Sequence, residues 1–96
     1  MQLFFNNKSF TLRIGDTLQL GYGANPDGSF MYIIGGKNIP IERHAGKTVV
    51  IKYIRYYKRA NEISLTIKGR GIWEFVNVLQ AMDKKEILSV NGVSFY

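Results

Sequence analysis

The fold is easiest to read in residues 48–68, which have the sequence TVVIKYIRYYKRANEISLTIK. β-Branched and aromatic residues are typical of strands, so Thr48–Tyr57 is predicted to be the longest strand and Glu62–Lys68 its hairpin partner. In the partner strand, apolar and polar residues alternate, which predicts one face toward the core and one toward water. The inward set is Ile63, Leu65 and Ile67, and the outward set is Ser64, Thr66 and Lys68.

Two further hairpins are predicted at the ends of the chain. Asn6-Asn7 lies between two segments of alternating apolar residues in positions 1–14, and asparagine tolerates the left-handed backbone of a two-residue turn. Asn91-Gly92 is the strongest short-range hairpin signal in the sequence. Its register places two serines, Ser89 and Ser94, on one face, and on the other face Leu88, Val90, Val93 and Phe95.

The middle of the chain adds a turn with its flanking strands, and the C-terminal half adds a helix. Asn25-Pro26-Asp27-Gly28 predicts a type I turn between strands at Thr17–Tyr22 and Ser29–Ile34. The spacing of apolar residues changes from the period of two of a strand to the three- and four-residue spacing of a helix, which predicts a helix that begins near Gly71 and ends near Met82. Its apolar stripe is Ile72, Phe75, Val76, Leu79 and Met82.

These elements predict one α+β domain over residues 1–96. We expect a mainly antiparallel β-sheet or small partly open barrel of six to eight strands, with one helix in the C-terminal half. The chain has no cysteine, which excludes a disulfide framework and thiolate chemistry. No secretion signal is visible, and no apolar run approaches the ~20 residues of a membrane-spanning helix, so no membrane insertion is expected. The sequence does not indicate the cellular compartment of the protein.

Candidate catalytic groups are sparse. His44 is the one histidine, and its polar surroundings before a turn are typical of a solvated residue. The three Asp and four Glu are spread singly, without the clustering that acid–base catalysis or a metal site requires. Gly69-Arg70-Gly71 resembles an anion-binding turn, but it lacks the spacing of a phosphate loop, and an ordinary glycine-rich turn is the favoured interpretation. We therefore expect no enzyme activity, no metal and no cofactor.

Positive charge is concentrated in one quarter of the chain. The net charge is +6, and between Lys47 and Arg70 seven basic residues face one acidic residue, 7 − 1 = +6, so the whole excess lies there. Tyrosines alternate with these cations, a composition that suits single-stranded nucleic acid, because bases stack on aromatic rings and phosphates pair with Lys and Arg. The candidate binding residues are Lys52, Tyr53, Arg55, Tyr56, Tyr57, Lys58, Arg59, Lys68 and Arg70.

Strict alternation along Thr48–Tyr57 divides these candidates between two faces. One face would hold Val49, Ile51, Tyr53, Arg55 and Tyr57; the other would hold Val50, Lys52, Ile54, Tyr56 and Lys58. Neither face is purely basic and aromatic, as a nucleic-acid platform would prefer. The expectation is therefore a non-catalytic binding or assembly module that acts through a protein partner or as a homo-oligomer. The alternative is a small basic domain that binds single-stranded nucleic acid through residues 47–70.

Overall fold

The computed structural model of the protein describes residues 1–35, 46–60, 62–68, 72–75 and 77–96, with the backbone alone for 72–75. Nine strands and one helix form this described part of the chain. The strands are β1 (Gln2–Phe5), β2 (Lys8–Thr11), β3 (Thr17–Leu20), β4 (Ile33–Ile34), β5 (Thr48–Tyr57), β6 (Glu62–Lys68), β7 (Ile72–Phe75), β8 (Ile87–Val90) and β9 (Val93–Ser94). The helix, α1 (Val78–Asp83), lies between β7 and β8.

All strand pairings among the described residues are antiparallel. β1 and β2 form a two-stranded sheet, and the other strands form a seven-stranded sheet in the order β4-β7-β6-β5-β3-β8-β9. This arrangement confirms the predicted mainly antiparallel α+β fold with its helix in the C-terminal half. The strand count exceeds the expected range because β4 and β9, at the two ends of the sheet order, are two-residue strands.

One face of the large sheet carries the hydrophobic core. The β1–β2 hairpin and α1 pack on it, so that their apolar side chains join those of the sheet in a single buried cluster. The Phe10 and Phe95 rings meet edge to face, with their centroids 4.9 Å apart. The fully buried members include Leu18, Leu20, Ile51, Leu65 and Ile67 from the sheet and Val78, Ala81 and Met82 from α1.

Both terminal hairpins have the predicted turns. Asn6 and Asn7 have φ values of 53° and 62°, and Asn91 and Gly92 have 48° and 80°, the positive values that a type I′ turn requires. The register of the C-terminal hairpin pairs Val90 with Val93, as predicted. Val93 is nevertheless 60% exposed, because β9 is the last strand in the sheet order.

The predicted alternation that groups Leu88 with Val90 on one face is interrupted where β8 pairs with β3. β3 pairs Gln19 with Ser89 but Leu20 with Ile87, so Leu88 is an extra residue, a β-bulge. Beyond the bulge the alternation is reversed, and Ile87, rather than Leu88, is fully buried. Ser89 is buried as well, which the hairpin pattern did not predict.

The helix is shorter than predicted and begins later. Residues 72–75 form strand β7, which pairs with β6 and β4, so the predicted start near Gly71 is wrong. Isoleucine, tryptophan and phenylalanine favour strands, and β7 completes the hydrogen bonding of an edge of β6. α1 starts instead after Asn77, whose side-chain oxygen accepts a hydrogen bond from the Gln80 N–H at 3.2 Å. No helix in the described residues is long and apolar enough to cross a membrane.

A buried carboxylate holds the loop between β3 and β4. Glu86 is fully buried, and its Oε2 accepts hydrogen bonds from the N–H groups of Ala24 and Met31, both at 2.7 Å. Its Oε1 accepts from the Tyr32 N–H at 2.8 Å. These contacts replace strand pairing over most of the predicted Ser29–Ile34 strand, which therefore reduces to β4.

The turn inside this loop forms as predicted. The Gly28 N–H donates to the Asn25 carbonyl at 2.9 Å, and Gly28 has a φ of 88°, which glycine adopts without strain. The loop after the turn folds back and buries Phe30 completely in the core. The preceding strand ends at Leu20 instead of Tyr22, whose side chain is 82% exposed.

Candidate functional site

A second β-bulge, at Lys52, determines which side chains of β5 are exposed together. β5 pairs Ile51 with Ile67 and Tyr53 with Thr66, which leaves Lys52 as the extra residue. A bulge adds one residue to one strand, so the faces of that strand exchange beyond it. The strict alternation predicted for Thr48–Tyr57 therefore holds only as far as Ile51.

Beyond the bulge, the core side of β5 carries Ile54 and Tyr56. Their cross-strand partners are Leu65 and Ile63, which are both buried. Directly opposite residues in an antiparallel pair project from the same face of the sheet. Ile54 and Tyr56 therefore follow Val49 and Ile51 on the core side, which corrects the predicted division of this strand.

The outer side of β5 gathers Tyr53, Arg55 and Tyr57. Their partners on β6 are Thr66, Ser64 and Glu62, respectively. We call the exposed group formed by Lys52, Tyr53, Arg55, Tyr57 and Lys68 the outer surface. Tyr53 is 63% and Tyr57 47% exposed, and the three cations are exposed as well.

The outer surface is basic along its length. Arg55 lies between the two tyrosines, whose Cα atoms are about 13 Å apart at ~3.3 Å per strand residue. Glu62, half-buried at the end of β6 opposite Tyr57, is the one acidic residue on the two strands. The prediction that Ser64 faces water is wrong, because this small side chain is buried where β6 runs between β5 and β7.

The other candidate residues lie elsewhere. Lys58 and Arg59 are exposed in the turn after β5, beside Tyr57, and so extend the basic character of the outer surface. Tyr56 is 48% exposed but lies on the core side of β5. Arg70 lies outside the described residues, as do His44 and the Gly69-Arg70-Gly71 turn.

On each side of β5, residues that the structure describes line a pocket. On the outer side, a pocket of about 260 Å³ lies at the bulge and is lined by Lys52, Tyr53, Thr66 and Lys68. On the core side, an apolar groove of about 360 Å³ is lined by Met1, Gln2, Leu3, Phe4, Tyr56, Ile63 and Leu79. Thr66 was not among the predicted binding residues. The apolar spacing of Ile51 and Ile54, three rather than two residues apart, is the sequence signal of the bulge that places Tyr53 opposite Thr66.

The contacts of the Tyr96 side chain indicate a structural role. Its hydroxyl group lies within hydrogen-bonding reach of the carbonyls of Met82 and Ile87, and its ring packs edge to face on Phe5 with centroids 5.6 Å apart. Burial, helped by the negative charge of Asp83, raises the pKa of Tyr96 to about 12. Tyr96 thus anchors the end of the chain to the helix and β8 as a neutral phenol.

Within the part of the chain that the structure describes, no three His, Cys, Asp or Glu side chains are grouped so that they could hold a metal ion. Comparison with protein-family models, with curated proteins and with solved structures returned no match for this chain.

Proposed function

We propose that this protein is a non-catalytic binding module that holds single-stranded nucleic acid on its outer surface. The observation that supports this most strongly is the bulge at Lys52, which brings Tyr53, Arg55 and Tyr57 to one exposed face. Aromatic rings that alternate with cations offer single-stranded nucleic acid both stacking platforms for its bases and partners for its phosphates. The bulge separates Tyr53, Arg55 and Tyr57 from Val49 and Ile51, so these rings no longer share a face with core residues, although Tyr56 stays on the opposite side.

Electrostatics support the same ligand. The outer surface carries Lys52, Arg55 and Lys68, and the adjoining turn adds Lys58 and Arg59. Each phosphate neutralised on a single strand contributes about −0.7 to the slope of log affinity against log salt concentration. Three contacts therefore give a slope of about −2, and five give about −3.5.

Stacking favours single strands over duplexes. Base faces are covered by neighbouring pairs in a duplex, whereas an unpaired strand can place its bases on Tyr53 and Tyr57. Each base–ring stack is worth about 1–3 kcal/mol and tolerates any base, because every base has a π-face. We therefore expect binding with little sequence preference and a clear preference for single strands.

Tyr56 and Tyr57 provide a matched test. They are adjacent and almost equally exposed, at 48% and 47%, but they project from opposite faces of β5. In titrations of a fluorescent oligothymidylate, Tyr57→Ala is expected to weaken binding by about 1–3 kcal/mol because a stacking ring is lost. Tyr56→Ala, with its fold checked by circular dichroism, is expected to leave the affinity nearly unchanged.

Equal losses in the two variants would contradict an outer binding face. Arg55→Gln provides an independent electrostatic measurement, with an expected decrease of about 0.7 in the magnitude of the salt slope. Lys8→Gln, which removes an exposed cation from β2, serves as its charge control. If the wild-type protein does not bind the oligonucleotide even at low salt, the proposed function is wrong.

A second candidate function is self-association through the apolar groove on the core side of β5. Phe4, on the rim of this groove, is 76% exposed, which is unusual for so large an apolar side chain. A second copy of the chain would cover it. Sedimentation velocity over a range of concentrations is expected to show dimers that Phe4→Asp abolishes, and a wild-type protein that stays monomeric throughout would exclude this candidate.

A further inference from the structure

The pocket at the Lys52 bulge has a lining suited to an anion. Lys52 and Lys68 contribute ammonium groups, and Thr66 and Tyr53 contribute hydroxyl groups that can donate hydrogen bonds. None of its described lining residues is acidic. Four donors, two of them charged, around one cavity favour a ligand with several acceptor oxygens and negative charge.

The bulge is the reason that Tyr53 lines this pocket. Tyr53 and Thr66 are directly opposite each other, and Lys68 is paired with Val50, on the other side of the extra residue. In a regular ladder, Lys52 would pair with Thr66, and Tyr53 would lie on the face of the sheet opposite to Lys68. The additional residue moves Tyr53 to the outer face, so its side chain lines the same cavity as Lys52, Thr66 and Lys68.

The size of the pocket limits its ligand to a small group. Its volume of about 260 Å³ is below the ~300–1,000 Å³ of sites that enclose a whole drug-sized molecule. Lysine ammonium groups bind phosphate as point charges, without the planar geometry that arginine imposes. One phosphate group with part of its sugar matches this volume and this chemistry.

We propose that this pocket is a phosphate subsite, which binds one backbone phosphate of the single strand while the adjacent base stacks on Tyr53. The inference rests on the proposed function for the identity of its ligand. Lys52 and Lys68 neutralise the phosphate, and the Thr66 hydroxyl donates a hydrogen bond to one of its oxygens. The nucleic-acid strand is thereby aligned along β5, with its next bases directed toward Arg55 and Tyr57.

The test compares two pairs of substitutions that remove equal charge. Lys52→Gln with Lys68→Gln is expected to lower the magnitude of the oligothymidylate salt slope by about 1.4, because two phosphate-neutralising contacts are lost. Lys8→Gln with Lys84→Gln, at exposed positions outside the pocket, is expected to leave the slope unchanged. Lys52→Arg with Lys68→Arg keeps the charge and is expected to retain the wild-type slope.

Inorganic phosphate separates failure of the subsite from failure of the proposed function. If oligothymidylate binds and both glutamine pairs have the same salt slope, the subsite is wrong and the proposed function stands. If the strand does not bind, the proposed function is wrong, and inorganic phosphate followed by amide NMR shifts decides the pocket. If phosphate shifts only the amides of Lys52, Thr66 and their neighbours, and Lys52→Gln with Lys68→Gln abolishes these shifts, the pocket is a phosphate site. If no such shifts occur, the phosphate subsite is wrong.

Discussion

Replacing Glu86 by glutamine is expected to destabilise the protein by removing the acceptor that holds the loop between β3 and β4. The carboxylate accepts three backbone hydrogen bonds from inside the core. Glutamine has almost the same shape but only one acceptor oxygen. In its best orientation that oxygen retains the bonds from Ala24 and Met31, and the new amide group then faces the Tyr32 N–H, donor against donor.

The magnitude follows from these contacts. Hydrogen bonds to a charged group contribute about 1.5–3 kcal/mol and neutral ones about 0.5–1.5, so the two retained bonds weaken by about 1 kcal/mol each. The unpaired Tyr32 N–H costs about a further 1–3 kcal/mol. Removing a buried charge offsets part of this loss, because a buried ion pays a desolvation penalty. We expect a net decrease of about 2–4 kcal/mol in the free energy of unfolding, or about 10 °C or more in Tm.

Guanidinium unfolding and native-state hydrogen exchange measure this effect. Glu62→Gln, on β6, is the matched control, with an expected change within about 0.5 kcal/mol. The amides of Ala24, Met31 and Tyr32 should lose protection before those of the central strands, because the loop opens locally. A Glu86→Gln protein with unaltered stability and full protection at these amides would refute the reasoning.

Three further outcomes are expected. Gly92→Val should cost about 1–2 kcal/mol in chemical unfolding; a Cβ there meets no atom within 4 Å, so the cost comes from the φ of 80° alone. Leu79→Ala should cost less than the ~2–5 kcal/mol of a fully buried leucine, and less than Met82→Ala, because Leu79 is half-buried and Met82 fully buried. The pKa of Tyr96 is raised from 10.0 to about 12 in the folded protein, so its contribution to stability should be fully present below pH 10 and lost as the pH rises toward 12. In Tyr96→Phe, the free energy of unfolding should decrease less steeply over this alkaline range.

The hairpins were predictable because their information is local. Asn6-Asn7 and Asn91-Gly92 prefer the positive φ values found in the structure, and the flanking apolar alternation agrees with the turn register. The long strands β5 and β6 likewise match their predicted bounds. The helix was harder, because Ile72–Phe75 fits a helical stripe and a strand equally well until its pairing with β6 is known.

The candidate site was predictable in composition but not in arrangement. The basic segment, its tyrosines and the position of the excess charge are properties of the sequence. The side of the sheet on which Tyr53, Arg55 and Tyr57 lie depends on one extra residue at Lys52, which a strict period of two cannot reveal. The same limitation misplaced Leu88, where the bulge in β8 puts Ile87 into the core.

The sequence by itself thus determined the turns, the long strands, the antiparallel fold class and the location of the positive charge. These depend on backbone preferences and side-chain chemistry within a few residues. The tertiary structure alone decided the two bulges, the strand at Ile72–Phe75 and the buried carboxylate of Glu86. Each of these depends on neighbours distant in sequence: register is chosen by the partner strand, and a buried charge is stable only where a remote loop brings its donors.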